Sequence, residues 1–299
     1  MKKLAAAAIV AASTAGAASA ADLPSRKAPV IAPPPPVMTW TGFYIGLNAG
    51  GVWDGNKNIT TVGAPVFSGP TWETELATST ALTTGSGSGS SSGAILGGQI
   101  GYNWQTGSFL LGLEADIGGL VASRDRLRLV GAGVPAAFPG ETIFSATTSQ
   151  KSVDYLGTVR GRLGFIATPT FLLYATGGLA YGGVKASTAV WQFDANNGVP
   201  GNAPYGTFGA ISKMKTGWTA GGGVEWMFQP NWSLKVEYLY YDLGRATFGS
   251  PLSLAVPAAF NSGYTAAVAT SVRYTGHVAR VGVNYHFNWG VPAPVVATY

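Results

Sequence analysis

The stretch HVARVGVNYHF (277–287) separates into two lists when every second residue is read. His277, Ala279, Val281, Val283, Tyr285 and Phe287 alternate with Val278, Arg280, Gly282, Asn284 and His286. Apolar and polar positions trading places with period two mark a β-strand with unlike faces. The same pattern recurs at 42–53, 94–105, 108–122, 152–166, 171–185, 215–228, 232–243 and 274–287. Each segment is long enough for a tilted membrane-spanning strand of ~9–11 residues. Connections alternate too. Thr106-Gly107, Ala167–Thr170 and Gln229–Asn231 are short and rich in turn formers, whereas 54–93, 123–151, 186–214 and 244–273 are long. The pattern predicts an all-β fold: an eight-stranded antiparallel up-and-down transmembrane β-barrel with short periplasmic turns and four long extracellular loops.

The charges within the strands share one parity. Glu114, Asp116, Glu225 and Glu237 fall with Arg160, Arg162, Lys235 and Arg280 on the face that is otherwise glycine, threonine and asparagine. A water-soluble barrel turns such a face outward, whereas a barrel in lipid turns it inward. The aromatics decide between them. Phe43, Trp104, Phe109, Phe165, Phe171, Phe228, Trp232 and Phe287 lie at the short-turn ends of their strands, on the apolar parity, as a periplasmic interfacial girdle would. A looser second set, Trp53, Tyr155, Tyr181, Trp218 and Tyr240, lies toward the long connections. Slipping each strand by one residue would turn four basic groups toward lipid at ~2–4 kcal/mol each. That total rivals the stability of a typical fold, so register is strongly specified.

Composition sharpens this picture. Of 299 residues, 46% are hydrophobic, only 10% are charged and none is cysteine. Disulfides, thiolate metal sites, cysteine nucleophiles and a lipidated-cysteine anchor are excluded. Lys2 and Lys3, the apolar run Leu4–Ala12 and Ala18-Ser19-Ala20 read as a signal peptide over 1–20, cut after Ala20. Removing the two lysines lowers the formal charge from +5 to +3, too little to indicate nucleic acid. Residues 21–39 include APPPPV and read as a Pro-rich periplasmic linker in extended conformation. The barrel is expected over 40–287, with a periplasmic tail over 288–299.

Six segments in order carry a resemblance: WTGFYIGLNAGGVW (40–53), GTVRGRLGF (157–165), LLYATGGLAYG (172–182), GWTAGGGVEW (217–226), WSLKVEYLYYDLG (232–244) and ARVGVNYHFNWG (279–290). The chain resembles the alphaproteobacterial RopB-type small outer-membrane β-barrel (porin-like) family across the barrel and its leader. The resemblance implies an eight-stranded outer-membrane barrel with roles in envelope integrity and host interaction, and no established catalytic residues. One departure is the end of the chain. The terminal aromatic read by the barrel-assembly machinery is either Phe287, with NWGVPAPVVATY after it, or Tyr299.

An eight-stranded barrel is just wide enough for side chains to fill it. Its eight inward charges are therefore expected to pair and plug the lumen, because unpaired buried charge is very costly. Outside the signal, linker and lumen, the basic residues Lys57, Arg124, Arg126, Arg128, Lys151, Lys185, Lys213, Lys215, Arg245 and Arg273 all fall in long connections or at their rims. Arg124, Arg126 and Arg128 form the strongest candidate contact for lipopolysaccharide phosphates, acids such as Glu73 and Asp125 being their neighbours.

No catalytic site, metal site or cofactor is expected. Residues 85–93, GSGSGSSSG, are expected to be flexible and lack the Gly-Lys-Ser/Thr of a phosphate loop. The two histidines are separated, His286 facing inward and His277 outward. They make a poor haem pair. His277 with Ser271 is only a remote imitation of a lipid hydrolase, since no nucleophile motif marks the serine. Two readings of function remain open: a structural and surface-interaction protein with a closed lumen, or a narrow passive channel. Outer-membrane lipids and an unidentified surface ligand are the expected partners.

Overall fold

A computed structural model describes residues 38–55, 58–67, 73–88, 92–122, 125–137, 139–196, 199–200, 205–253 and 265–287. The signal peptide, all but the last two residues of the Pro-rich linker, and the tail with Tyr299 lie outside them. In chain order the elements are β1 (Gly42–Asp54), β2 (Asn58–Phe67), α1 (Glu73–Thr83), β3 (Gly85–Ser88), β4 (Ser92–Thr106), β5 (Phe109–Ala122) and β6 (Asp125–Gly133). They continue with β7 (Glu141–Thr168), β8 (Phe171–Asn196), β9 (Val199–Pro200), β10 (Tyr205–Gln229), β11 (Trp232–Ser253) and β12 (Thr265–Phe287).

Pairing runs β1–β4–β5–β7–β8–β10–β11–β12, and β12 returns antiparallel to β1, which closes the ring. Closure leaves no free edge at this level, the condition for sheet backbone to sit in lipid. Turns at the lower end are tight. Thr106 pairs with Phe109 around Gly107, whose φ of +61° an L side chain rarely adopts.

Side chains alternate as the charge parity requires. Leu47, Leu96, Leu111, Leu113, Ile117 and Leu163 are exposed on the outer wall, while their polar neighbours are buried. Phe43 is level with Phe287 and Tyr102, Phe109 with Phe165, and Phe171 with Trp226. A second aromatic level follows ten residues up four of the strands: Trp53 above Phe43, Tyr155 above Phe165, Tyr181 above Phe171 and Trp218 above Phe228. At ~3.3 Å per residue and a tilt near 40°, ten residues rise ~25 Å, the height of the apolar band of an outer-membrane barrel.

The long connections differ from expectation. They are not loops for most of their length: β7 and β8 have 28 and 26 residues and continue far above the upper aromatic level, joined by β2, β3, β6, β9 and α1. The segment expected to be flexible includes β3 and the start of β4. In this upper part the alternation passes to threonine, serine, valine and alanine, as in SATTSQ (145–150). Such residues suit strands but carry little hydropathic contrast, so a search for apolar stripes passes over them.

The upper wall also splits. β10 and β11 are paired up to Trp218 and Asp242. Above that level β10 pairs with β8 and β11 with β12.

Candidate functional site

Buried side chains inside the ring fall into layers. At its lower mouth Trp40, Leu110, Leu172, Tyr174 and Met227 form a buried cluster, with Met38 and Ile166 against it. Trp40 is 1% exposed and donates its indole N–H to the Pro169 carbonyl at 3.1 Å. Met38 thus packs on the barrel although it belongs to the segment read as linker. Trp40→Phe keeps a six-membered aromatic ring but loses the pyrrole half of the indole and that hydrogen bond; urea unfolding in lipid vesicles is expected to show a loss of about 2–3 kcal/mol, packing and hydrogen bond together.

Above this mouth lie the charges. Glu114, Asp116, Arg160, Arg162, Glu225, Lys235, Glu237 and Arg280 are all buried. Register sets Glu114 opposite Arg160, Glu225 opposite Lys235 and Glu237 opposite Arg280 on neighbouring strands. The side chains then reach across the ring. Arg160 contacts Glu114, Asp116 (2.9 Å) and Glu237 (3.0 Å). Lys235 crosses to Glu114 at 3.0 Å. Arg280 reaches Asp116 at 2.9 Å and Glu237 at 2.6 Å. Arg162 meets Glu225 at 2.7 Å and Glu114 at 3.3 Å. Each carboxylate therefore has a cation in hydrogen-bond reach.

Two tyrosines complete the network without having been picked out among the sequence candidates. Tyr44 donates to Glu114 at 2.6 Å and accepts from Arg162 at 2.7 Å. Tyr174 donates to Glu237 at 3.0 Å, and its ring stacks under the Arg162 guanidinium at 4.0 Å. Space for them comes from the facing glycines. A Cβ on Gly101 would lie 2.4 Å from the Tyr44 ring, and one on Gly223 would lie 2.6 Å from the Tyr174 hydroxyl. An inward aromatic opposite a glycine was the available signal. Ser233 and Asn284 donate to Glu225, both at 2.6 Å. His286 sits 2.8 Å from Ser233.

Higher up, Val52, Ile95, Leu156, Val184, Leu239, Leu243, Val272 and Val278 belong to one buried apolar cluster. Hydroxyls follow. Ser149 and Thr188 are 2.9 Å apart, and Thr188 and Thr270 are 2.8 Å apart. At the top, α1 is tied to the wall by Ser79, which donates to Gln192 at 2.5 Å.

The girdle residues Phe43, Trp104, Phe109, Phe165, Phe228 and Trp232 are exposed outward, and Phe171 and Phe287 are half-buried on the same level. His277 is also on the outer wall. It stacks on Trp53 with ring centres 5.9 Å apart and lies 2.6 Å from the Tyr238 hydroxyl. Ser271 is six residues farther up the strand, roughly 20 Å away at ~3.4 Å per residue, so the two do not form a hydrolase pair. Arg126 and Arg128 are exposed on β6, whereas Arg124 lies outside the described residues. Among the described residues no three metal-ligating side chains gather into a site.

Comparison with known proteins agrees with this architecture. Residues 5–287 match the family model described as outer membrane protein beta-barrel domain. The chain is 34% identical to the 31 kDa outer-membrane immunogenic protein of Brucella melitensis over 257 residues, 86% of this chain and 87% of the relative. It is 33% identical to the 22 kDa outer membrane protein of Rhizobium leguminosarum over 148 residues, 49% of this chain and 52% of that one. Among solved structures, OprG from Pseudomonas aeruginosa aligns over 83% of this chain and 97% of its own, at 11% identity and a TM-score of 0.34. The chain therefore belongs to the outer-membrane β-barrel family, within the small alphaproteobacterial outer-membrane proteins, and its place is the outer membrane.

Proposed function

We propose that the protein is a non-enzymatic, eight-stranded outer-membrane barrel with a closed lumen, which stiffens the envelope and presents a folded surface outside the cell. The observation that carries this reading is the filling of the lumen: a charge network in which opposite walls are hydrogen-bonded, with an apolar cluster directly above it. A hydrated ion crossing the network would break charge-assisted hydrogen bonds, then meet a mainly apolar layer in which the hydroxyls of Tyr241 and Tyr274 are the polar groups of the cluster. The eight charges plug the barrel by cancelling one another, and the two aromatic levels hold it at the membrane interfaces.

The upper sheet stands beyond the bilayer band and offers Arg126 and Arg128 to the surroundings. The Brucella relatives are named immunogenic outer-membrane proteins, which supports presentation of this part to a host. Insertion requires the barrel-assembly machinery, with Phe287 at the end of the closing strand as its terminal aromatic.

The purified full chain in planar bilayers is expected to give no steady single-channel current. A steady open conductance would overturn the closed-lumen reading in favour of a passive channel.

A further inference from the structure

Just above the upper aromatic level, β11 carries a built irregularity. Asp242 pairs with Thr275 and Arg245 with Arg273, so Leu243 and Gly244 together oppose the single residue Tyr274. Gly244 has φ +78°, and its N–H donates to Asp242 at 2.7 Å. This bulge inverts the parity of the strand. Below it, even positions such as Val236 and Tyr238 face outward; above it, Arg245, Thr247 and Gly249 do, while Ala246 and Phe248 are buried. Without the extra residue Arg245 would point into the apolar cluster. With it, Arg245 stands directly across from Arg273 on the outer wall.

Two like charges on one rung are unfavourable unless something negative lies between or beside them. Asp242 serves Arg273 at 2.5 Å. Among the described residues the exposed Arg245 guanidinium has no hydrogen bond or ion pair. Lys215, on the inward parity of β10, donates to the Arg245 carbonyl at 2.8 Å across the gap between β10 and β11. Two outward arginines thus share one rung, with a single carboxylate, Asp242, engaged by Arg273. Immediately below are Trp218 and Tyr240, ring centres 5.3 Å apart, the interfacial aromatics of these two strands. Arg245 is five residues above Tyr240, and because the bulge absorbs one of them it stands four rungs higher, about 13 Å along the strand. At that height the headgroups of the outer leaflet meet the wall.

We propose that Arg245 and Arg273 form a binding site for a phosphate of the phosphorylated glycolipid of the outer leaflet, with Trp218 and Tyr240 packing against the lipid beneath it. The proposal rests on the outer-membrane reading and gives it a lipid partner. It also places the phosphate contact away from Arg126 and Arg128. Those residues pair with Gln150 and Thr148, five and seven residues above Tyr155, roughly 17–23 Å along the strand and therefore at sugar height.

The test uses the full chain folded in detergent micelles and titrated with bisphosphorylated lipid A or the same lipid without phosphates, bound lipid being counted by native mass spectrometry. R245Q/R273Q is expected to weaken binding of the phosphorylated lipid about tenfold, the worth of a charge-assisted hydrogen bond or two. R126Q/R128Q should stay within about twofold, as surface charges remote from the contact do. The dephosphorylated lipid should bind the native chain as weakly as phosphorylated lipid binds the variant. T247E, one exposed rung higher, should also weaken binding while leaving both arginines in place. Heat-modifiable migration on gels verifies that each variant is folded.

Equal binding by R245Q/R273Q, or equal binding of the dephosphorylated lipid, would overturn the proposal. So would displacement of the lipid by millimolar inorganic phosphate, which would make this a site for free anions. A conducting barrel that still discriminates the two lipids would sink the closed lumen alone and leave this site standing.

Discussion

Arg160→Ala is expected to destabilise the folded barrel by about 3–5 kcal/mol, the usual cost of removing one partner from a buried ion pair. Arg160 lies on β7 and contacts carboxylates on two other strands, Glu114 and Asp116 on β5 and Glu237 on β11. Its loss leaves an excess of negative charge among buried side chains. Lys235, Arg162 and Arg280 are already engaged with the same carboxylates and compensate only in part. Urea unfolding in lipid vesicles, followed by tryptophan emission, reads the effect directly. Adding Glu237→Gln to Arg160→Ala removes one orphaned charge and should recover part of the loss, so the two changes should be strongly non-additive. A cost below about 1 kcal/mol for Arg160→Ala would mean that the network does not hold the walls together.

Val281→Arg is the second large effect, expected at about 2–4 kcal/mol, the cost of a basic side chain on the lipid face near midplane. Val281 is 49% exposed on the outer wall, midway between Phe287 and His277, and its chain neighbour Arg280 is 3% exposed inside. The same side chain is therefore required at one position and excluded at the next. Thr247→Arg gives the control. Thr247 is exposed on β11 above the bulge and beyond the upper aromatics, and arginine there should change stability by less than about 0.5 kcal/mol. Equal costs at the two positions would show that the outer wall at Val281 is not in lipid.

Much of the fold was legible because strand alternation is a local property. Val159 next to Arg160, or Val281 next to Arg280, already assigns opposite faces whatever the rest of the chain does. The aromatic parity then tells inside from outside, since phenylalanine and tryptophan at one level of many strands answer to an interface rather than to a core. The same local reading failed where contrast faded. The serine and threonine of β7 and the glycine-rich β3 carry no apolar stripe, so local alternation does not mark them as strands. Trp40 stands at the first position of the barrel in the sequence, and only the closed ring shows that it packs into the lower mouth.

The chain by itself determined which side chains face lipid and which face inward, because a period of two is written in neighbouring residues and charge is too costly to expose in a bilayer. Only the tertiary structure decided which charge meets which. Lys235 faces Glu225 on the adjacent strand yet bonds to Glu114 across the ring. It also decided that one extra residue in β11 sends Arg245 outward to stand beside Arg273. Both depend on the curvature of the ring and the register between strands, which bring together groups far apart in sequence and leave no mark in the local pattern of either.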